Sequence, residues 1–512
     1  MNEKSRTEHS AQNTTAAVAC RMAAILMGFI TRIVFTHTLS EDYVGINGLF
    51  TDILNVLALS ELGVGTAITY ALYRPIAEDN IEKQKSLMKL YSTFYKIVGM
   101  IVLGVGLLVV PFMDVLIKNQ PDVDHLILIY LMYLANSALS YLFVYKRTLI
   151  DAHQMLYIGI LYQTIFLVLQ DIVQIVVLVV THNFILFLGI YIICTLGTNL
   201  SISRKADRLY PYLKEKNVEK LPDEERKEIF KNIRAMLMHK VGGVVVNNTD
   251  NLLLSSIVGI VSVGKYSNYY LLIGSIRQIL DQVFLGINAS VGNLGVTEET
   301  GRVKKIFETS FFVGQWLYGF AAICLYELLS PFVAVSFGKK YVFDAGIVFI
   351  LCLNFYVTGM RKATLIFRDS LGLFWYDRYK SVLEAVINLG ASIVLALHFG
   401  TAGVFMGTLI STVTTSLWVE PFVLYKYRLK APVRYYFLNY ALYVAVLAVA
   451  WYVTDFLCRI ADGGYVRIII VRLAVCIVVP NLIMLLLYCR KKEFIFSIKK
   501  GQELIHRRMK NG

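Results

Sequence analysis

The sequence contains none of the short motifs that carry the commonest hydrolytic chemistries. It has no G-x-x-x-x-G-K-[ST] loop, no G-x-S-x-G nucleophile elbow and no H-E-x-x-H zinc motif. Its eight histidines are dispersed, and their positions do not indicate metal ligands. Direct ATP hydrolysis is therefore not expected, and the sequence predicts no cofactor and no metal site.

Paired cysteines and a cleavable signal peptide are absent as well. The seven cysteines form no C-x-x-C pair and most lie inside apolar runs, so we interpret them as small buried hydrophobic residues. Residues 1–19 are polar, with no apolar stretch before a small-residue cleavage site. The first membrane helix, which begins near Ala16, is therefore expected to be retained.

Apolar residues are abundant. They make up 57% of the 512 residues, and the mean hydropathy is +0.60, whereas soluble domains contain about 45–50% apolar residues. The excess falls in blocks of about 20 residues with few charges, the length that crosses a hydrocarbon core about 30 Å thick. The sequence predicts an all-α polytopic membrane protein of about 14 transmembrane helices. The predicted spans are 16–37, 45–72, 92–113, 124–145, 156–180, 184–202, 237–259, 264–290, 307–329, 342–363, 379–398, 402–425, 435–457 and 467–489.

Positive charge is distributed unevenly among the loops. The net charge is +14, and lysine and arginine gather in alternate loops, in the linker at 203–236 and in the tail. The other loops hold few cations: Lys118, Lys265, Lys339, Lys340 and Arg459. This is the positive-inside pattern, which predicts a multi-pass protein of the plasma membrane with both termini cytoplasmic. Because no RNA- or DNA-binding motif is present, the predicted surface partner is the lipid bilayer rather than nucleic acid.

The two halves of the chain repeat each other at an offset of about 220 residues. Lys85 falls on Lys305, and Gly99 falls on Gly319. Six spans separate equivalent points, so the repeat is parallel, which is typical of transporters whose lobes rock around a cavity. The predicted parts are an N-terminal lobe of six helices (1–202), a basic cytoplasmic linker with an amphipathic helix (203–236), a C-terminal lobe of six helices (237–430), two extra helices (431–489) and a basic cytoplasmic tail (490–512).

Arginines inside predicted spans are candidate substrate ligands, because a charge at mid-membrane costs about 2.5–3.5 kcal/mol on insertion scales. Arg21 and Arg32 are almost three helical turns apart, on one face of span one. Guanidinium groups in a cavity suit a pyrophosphate, which they bind through paired hydrogen bonds. Arg277 in span eight is predicted to be a further cavity cation. The alternatives are a positive-inside anchor for Arg21 and a local pair with Asp281 for Arg277.

Span seven contains a polar run inside an apolar helix, which is costly unless it lines water or meets polar partners. Asn247 and Asn248 in this run are candidate substrate ligands. Asp250 falls close to Arg32 under the repeat. The two residues are hypothesised to face each other across the pseudo-axis as a salt bridge that closes one gate.

Acidic residues in spans two and eight are candidates for gating or ion coupling. Asp52 and Glu61 lie in span two, and Glu61 falls on Asp281 under the repeat. Either member of that matched pair is suited to carry a coupling proton or to bind Na⁺. A structural polar contact is the alternative for each.

Several short runs resemble a known transporter family. They are GINGLFTDIL at 45–54, ELG at 61–63, LYRP at 72–75, HKVGG at 239–243, TDN at 249–251 and GKYSNY at 264–269. These runs are similar to those of Wzx-type polysaccharide flippases of Gram-positive bacteria. That family belongs to the multidrug/oligosaccharidyl-lipid/polysaccharide exporter superfamily, which also holds the lipid II flippases. The resemblance covers roughly residues 16–430.

The resemblance implies a V-shaped fold of two six-helix lobes with two extra helices. It implies a transporter that moves an undecaprenyl-pyrophosphate-linked oligosaccharide from the inner to the outer leaflet by alternating access, for a capsule- or lipopolysaccharide-type polymer. Cationic residues would lie on the lumen wall, where Arg32 and Arg277 are predicted. A polysaccharide polymerase or a glycosyltransferase would be the natural protein partner.

Other functions stay open at this point. A lipid II flippase has the same superfamily features. A cation-coupled multidrug-type antiporter would use the same fold, with H⁺ or Na⁺ as coupling ion. A membrane sugar polymerase or ligase would need large outer loops for its catalytic residues, and the predicted outer loops are short.

Overall fold

The computed structural model is helical, with no β-strand in the part of the chain that it describes. Contacts divide the chain into two compact units, unit 1 (Met1–Gly264) and unit 2 (Lys265–Gly512). The described residues are 6–58, 64–118, 121, 123–153, 155–215, 218–219, 221–227, 229–230, 248–297, 300–371, 373, 376–377 and 379–499.

Unit 1 is built from helices separated by short turns. They are α1 (Arg6–Thr38), α2 (Glu41–Leu57), α3 (Val64–Ala77), α4 (Ile81–Leu116), α5 (Leu126–Ser140), α6 (Tyr145–Ala152), α7 (Leu156–Thr181), α8 (Phe184–Leu209), the short α9 (Asp250–Leu253) and the first turn of α10 (Ile260–Thr297). Helix α1 packs along α7, α7 packs along α8, and α5 packs against α2, α4 and α8.

Unit 2 holds the rest of α10 and six further long helices. They are α11 (Thr300–Ser336), α12 (Ala345–Ser370), α13 (Lys380–Phe399), α14 (Thr401–Leu429), α15 (Arg434–Cys458) and α16 (Tyr465–Tyr488). Helix α14 contains two π-helical turns, at Thr412–Ser416 and Tyr425–Leu429. Helices α11 and α12 pack together, and so do α13 and α14.

Ten described helices are long and apolar enough to cross a membrane. The count rises to eleven if α5 and α6, which meet at a bend of 44°, form one span. Predicted spans two and seven include residues outside the described ranges (59–63 and 237–247). Predicted span eight coincides with α10. This helix carries two charged residues one turn apart, Arg277 and Asp281. The all-α polytopic fold class predicted from hydropathy is confirmed.

Helix α7 has the burial pattern of a membrane helix rather than of a soluble one. Leu161 and Ile165 are 46% and 54% exposed, whereas Asp171 and Gln174 are 6% and 2% exposed. In water the apolar face of a surface helix turns inward. The reverse arrangement is stable where the surroundings are hydrocarbon and the polar groups face protein or a wet cavity.

The same inversion occurs in α13 of unit 2. Its buried face carries Glu384, Asn388 and Ser392 at intervals of four residues, and its exposed face carries Val386 and Leu397. Intervals of four place residues on one side of an α-helix. Both units therefore turn polar stripes inward between helices.

Close helix approach in unit 1 depends on a glycine. A Cβ atom at Gly106 of α4 would lie 2.2 Å from Cδ1 of Leu134 on α5. The Tyr130 hydroxyl of α5 donates to the Gly106 carbonyl oxygen over 2.8 Å. Small residues at helix contacts in membranes permit this spacing.

The linker after α8 lies against the start of α4. Lys83 and Lys85 of α4 pair with Glu225 and Glu215 of the linker at 2.8 and 2.6 Å. Helical residues resume at Asp223, inside the linker for which the sequence predicted an amphipathic helix. Residues 216–217, 220, 228 and 231–236 of that linker lie outside the described residues. The described part of the linker is therefore held on unit 1.

A tyrosine adds a second tie between the linker and α4. The Tyr212 hydroxyl donates to the side-chain oxygen of Gln84 over 2.6 Å. Burial, aided by the negative charge of Asp79, raises the pKa of Tyr212 to about 12. The hydroxyl therefore keeps its proton and stays a donor at neutral pH.

The two C-terminal helices pack on α11. Arg472 of α16 pairs with the buried Glu327 of α11 at 3.2 Å, and the Trp316 indole of α11 donates to Asn481 of α16 over 2.9 Å. A buried carboxylate needs a partner of this kind, because leaving it unpaired in a low dielectric is costly. These contacts attach α16 to α11.

Candidate functional site

Unit 1 encloses a polar cavity of about 500 Å³ between α1, α2, α5, α7 and α8. Its volume falls in the range of about 300–1,000 Å³ that is typical of small-molecule sites. We call it the unit 1 cavity. Its lining residues are Gly28, Thr31, Arg32, Phe35, Asn47, Thr51, Leu54, Asn55, Ala58, Tyr133, Asn136, Ser137, Ser140, Tyr141, Gln170, Asp171, Gln174, Phe187, Tyr191 and Thr195.

Arg32 is the predicted substrate ligand that lines this cavity. It is half-buried on α1, and its guanidinium lies 5.7 Å from the ring centroid of Phe35, in cation–π geometry. Its positive charge also lies close enough to Tyr133 of α5 to act on that hydroxyl. Arg32 therefore places a planar cation in a polar pocket inside the helix bundle.

Asp171 of α7 supplies the acidic group of the same cavity. It is 6% exposed, and its Oδ2 atom meets no hydrogen-bond partner among the described residues. The Thr31 side chain of α1 lies beside this carboxylate. Asp171 therefore contributes a carboxylate to the cavity wall, with its Oδ2 atom buried below the accessible surface.

Amide side chains surround these two charges. Gln170 donates to Gln174 over 3.2 Å, and Gln174 donates to the backbone oxygen of Phe187 over 2.9 Å. The Tyr133 hydroxyl donates to the side-chain oxygen of Asn47. Oδ1 of Asn136, a buried residue on α5, has no partner within the described chain. The lining thus combines donors and acceptors with tyrosine and phenylalanine rings.

The predicted acidic residues near span two are held by other contacts. Asp52 of α2 accepts a hydrogen bond from Asn251 of α9 over 2.7 Å and a longer one from Asn55 over 3.5 Å. Asp250 is buried at the start of α9. These contacts join α2 to α9 within unit 1. The proposed Arg32–Asp250 gate stays a prediction.

The structure describes two of the four remaining site residues that were predicted in unit 1. Arg21 is exposed on α1. Asn248 is half-buried just before α9. Glu61 and Asn247 lie outside the described residues.

In unit 2, Asp281 of α10 has two partners from neighbouring helices. Lys362 of α12 pairs with its Oδ2 at 2.8 Å, and the Tyr318 hydroxyl of α11 donates to its Oδ1 over 2.8 Å. Arg277, half-buried one turn earlier, lies near the same tyrosine. The acid is therefore matched by a lysine two helices along the chain, which sequence spacing did not indicate.

A second group of charges lies between α12, α13 and α14. Arg361 of α12 binds both oxygens of the fully buried Glu420 of α14, at 2.7 and 3.2 Å. Lys380 also pairs with Glu420, and Arg361 pairs with Glu384 at 3.3 Å. We call the following set the unit 2 ion cluster. Its members are Arg361, Arg368, Asp377, Lys380, Glu384 and Glu420.

Sequence reasoning missed Asp171, Lys362 and Glu420. A signal for Asp171 was present, because it is a charge inside predicted span five (156–180) with Gln170 beside it and Gln174 one turn on. Lys362 and Glu420 also fall inside predicted spans. Their partners lie on other helices, at distances in sequence that no periodicity shows.

Comparison with known proteins identifies the family. A family model described as polysaccharide biosynthesis protein matches residues 10–290, more than half of the chain. No curated protein sequence matches this chain. This match confirms the family resemblance that the short runs of sequence indicated, at the level of polysaccharide biosynthesis proteins.

Solved structures of membrane transporters share the fold. The lipid II flippase MurJ, in an inward closed conformation, has a TM-score of 0.65 at 13% identity, covering 93% of this chain and 98% of that chain. An inward-facing multidrug resistance MATE family transporter of the MOP superfamily has a TM-score of 0.59 at 14% identity, covering 80% and 98%. A variant of the Vibrio cholerae MATE transporter VcmN has a TM-score of 0.57 at 15% identity, covering 84% and 99%. The chain is a multi-pass membrane protein with the fold of the MurJ and MATE transporters, and it belongs to the polysaccharide biosynthesis protein family.

Proposed function

We propose that this protein is a flippase that moves an undecaprenyl-pyrophosphate-linked oligosaccharide from the inner to the outer leaflet of the plasma membrane. It would act by alternating access, as a transporter rather than an enzyme, with H⁺ or Na⁺ as coupling ion. The glycan would feed the synthesis of a cell-surface polysaccharide, and a polymerase or glycosyltransferase would be the partner. Family membership and the transporter fold support this assignment.

The observation that carries the proposal is the position of Arg32 on the wall of the unit 1 cavity. An arginine inside a membrane span is retained at a cost, which functional contacts offset. A guanidinium matches a pyrophosphate oxygen pair in geometry and charge. Arg277, with Arg21 as a weaker candidate, would supply further positive charge, and Asn247 and Asn248 would supply amide contacts.

The acidic residues would serve gating or ion coupling. Asp250 would pair with Arg32 until substrate arrives. Asp52, Glu61 and Asp281 would bind or release the coupling ion. Asp281 is held by Lys362 and Tyr318, so binding a coupling ion there would compete with the contacts that join α10 to α11 and α12.

The test is a flipping assay in vesicles that contain the full-length protein. A fluorescent undecaprenyl-pyrophosphate oligosaccharide is supplied, and its access to an external quencher is followed for the wild type, Arg32→Ala and Arg277→Ala. We expect both variants to lose roughly ten- to a hundredfold in rate, the worth of a charge-assisted hydrogen bond of about 1.5–3 kcal/mol. The matched control is Arg74→Ala, since the Arg74 side chain is 84% exposed and pairs with Glu78.

The outcomes separate the function from its site. Flipping retained in both arginine variants would remove the site assignment but leave the flippase. Absence of wild-type flipping under every ion gradient, together with gradient-driven export of cationic dyes, would replace the flippase by the multidrug-type antiporter.

A further inference from the structure

Asp171 stands apart from the residues that the pyrophosphate would need. A carboxylate repels a pyrophosphate, yet Asp171 lines the same cavity of about 500 Å³ as Arg32. The Thr31 side chain of α1 lies beside this carboxylate and is a hydrogen-bond partner for it. An ionised carboxylate has about four acceptor sites. A carboxylate on a cavity wall therefore favours a ligand that donates hydrogen bonds.

The amide side chains near Asp171 are suited to hydrogen bonds with hydroxyl groups. Gln170 and Gln174 lie on the same helix, and Asn136 lines the cavity from α5. A side-chain amide both donates and accepts, as does a sugar hydroxyl. A cavity that offers a carboxylate and several amides is suited to a ligand with many hydroxyls.

Aromatic rings complete the lining. Tyr133 is buried on α5 and Tyr141 directly after it, and Tyr191 and Phe187 reach the cavity from α8. Such rings pack against the apolar C–H face of a ligand, and the tyrosine hydroxyls can bond to its polar edges. Sugar rings have both.

We propose that the unit 1 cavity is a carbohydrate subsite that binds the sugar residue attached directly to the pyrophosphate. This inference rests on the proposed flippase function. In a lipid-pyrophosphate-linked glycan the first sugar is bonded to the pyrophosphate itself, so its recognition groups must lie within one sugar length of the arginine. Arg32 and Asp171 line one cavity, as such a site requires. The Asp171 carboxylate selects a neutral sugar, since it repels an acidic one.

The test is a binding measurement on purified full-length protein in nanodiscs. The probes are undecaprenyl pyrophosphate alone and the same lipid carrying one glucose, one galactose or one glucuronate. The variants are Asp171→Leu and Gln174→Leu, with Asp114→Asn as the matched control, because Asp114 is an exposed acid of unit 1 outside the cavity. Thermal melting of each variant checks that it is folded.

We expect the wild type to bind at least one hexose-bearing lipid about tenfold more tightly than the sugar-free lipid, with no such gain for glucuronate. Asp171→Leu and Gln174→Leu should each lose most of this gain and leave sugar-free binding within about twofold. Asp114→Asn should behave as the wild type. If Asp171→Leu does not fold, Gln174→Leu makes the same test.

Three results would overturn the inference. The first is a sugar-dependent gain that survives in both cavity variants. The second is wild-type binding that is equal with and without sugar; if Na⁺ then stabilises the wild type but not Asp171→Leu, the cavity is a cation site. Both of these results leave the proposed function standing. The third is that neither lipid binds to the wild type, which would remove the proposed function and the subsite with it.

Discussion

Glu420 shows how single residues hold unit 2 together. It is fully buried and contacts both Arg361 and Lys380, whose side chains are 13% and 5% exposed. Removing one partner of a buried ion pair leaves an uncompensated charge, at a cost of about 3–5 kcal/mol. The two cations come from α12 and α13, so Glu420 ties three helices at one point.

We expect Glu420→Gln to lower the free energy of unfolding by about 3–5 kcal/mol, because two buried cations lose their shared anion. Thermal melting of the protein in detergent measures the effect. The control is Asp369→Asn, since the Asp369 side chain is 57% exposed beside Arg368 and such pairs contribute about 0–1 kcal/mol. Equal melting temperatures for the two variants would show that the unit 2 ion cluster does not stabilise the fold.

At the scale of elements, the linker after α8 is fastened to a helix of unit 1. The sequence predicted a basic cytoplasmic linker between two lobes. The structure holds its described part on α4 of unit 1, through pairs of Lys83 and Lys85 with Glu225 and Glu215. Each glutamate is partly exposed, so each pair contributes about 0.2–1 kcal/mol. The linker would therefore move with unit 1, with its release a low-energy local event.

Glu215→Gln combined with Glu225→Gln should release this segment. We expect backbone hydrogen exchange in residues 210–227 to become roughly fivefold faster, as follows from about 1 kcal/mol of lost pairing. Mass spectrometry of the intact protein in nanodiscs reads this out. Glu224→Gln is the matched control, because its pair with Lys227 is 90% and 76% exposed. A double variant that exchanges like this control would mean that the ion pairs do not fasten the linker.

For the whole molecule, the distribution of positive charge predicts the orientation in the membrane. The linker and the tail are rich in lysine and arginine, and the turn between α15 and α16 contains Arg459 as its cation. Positive loops are retained on the cytoplasmic side during insertion. Both termini should therefore face the cytoplasm.

An epitope tag placed in the turn at 461–464 should be accessible to antibody in intact cells, because that turn is predicted to be external. A tag at the C-terminus should become accessible only after the membrane is permeabilised. Labelling of the C-terminal tag in intact cells would reverse the orientation and, with it, the assignment of the basic loops.

Much of this fold could be predicted from the sequence, because insertion into a bilayer depends on local hydropathy. Spans five and eleven were predicted at 156–180 and 379–398, and α7 and α13 occupy Leu156–Thr181 and Lys380–Phe399. The bend between α5 and α6 was not predicted, since residues 141–144 at the bend (YLFV) are apolar and include neither proline nor glycine.

The sequence by itself determined the membrane class, most helix positions and the family, since apolar length, charge bias and short motifs are read along one chain. It also indicated Arg32 as a cavity residue, from its cost inside a span. Only the tertiary structure decided that Asp171 shares the cavity of Arg32 and that Lys362 pairs with Asp281. Such partners depend on how each helix is rotated and which helix packs beside it, and hydropathy contains neither quantity.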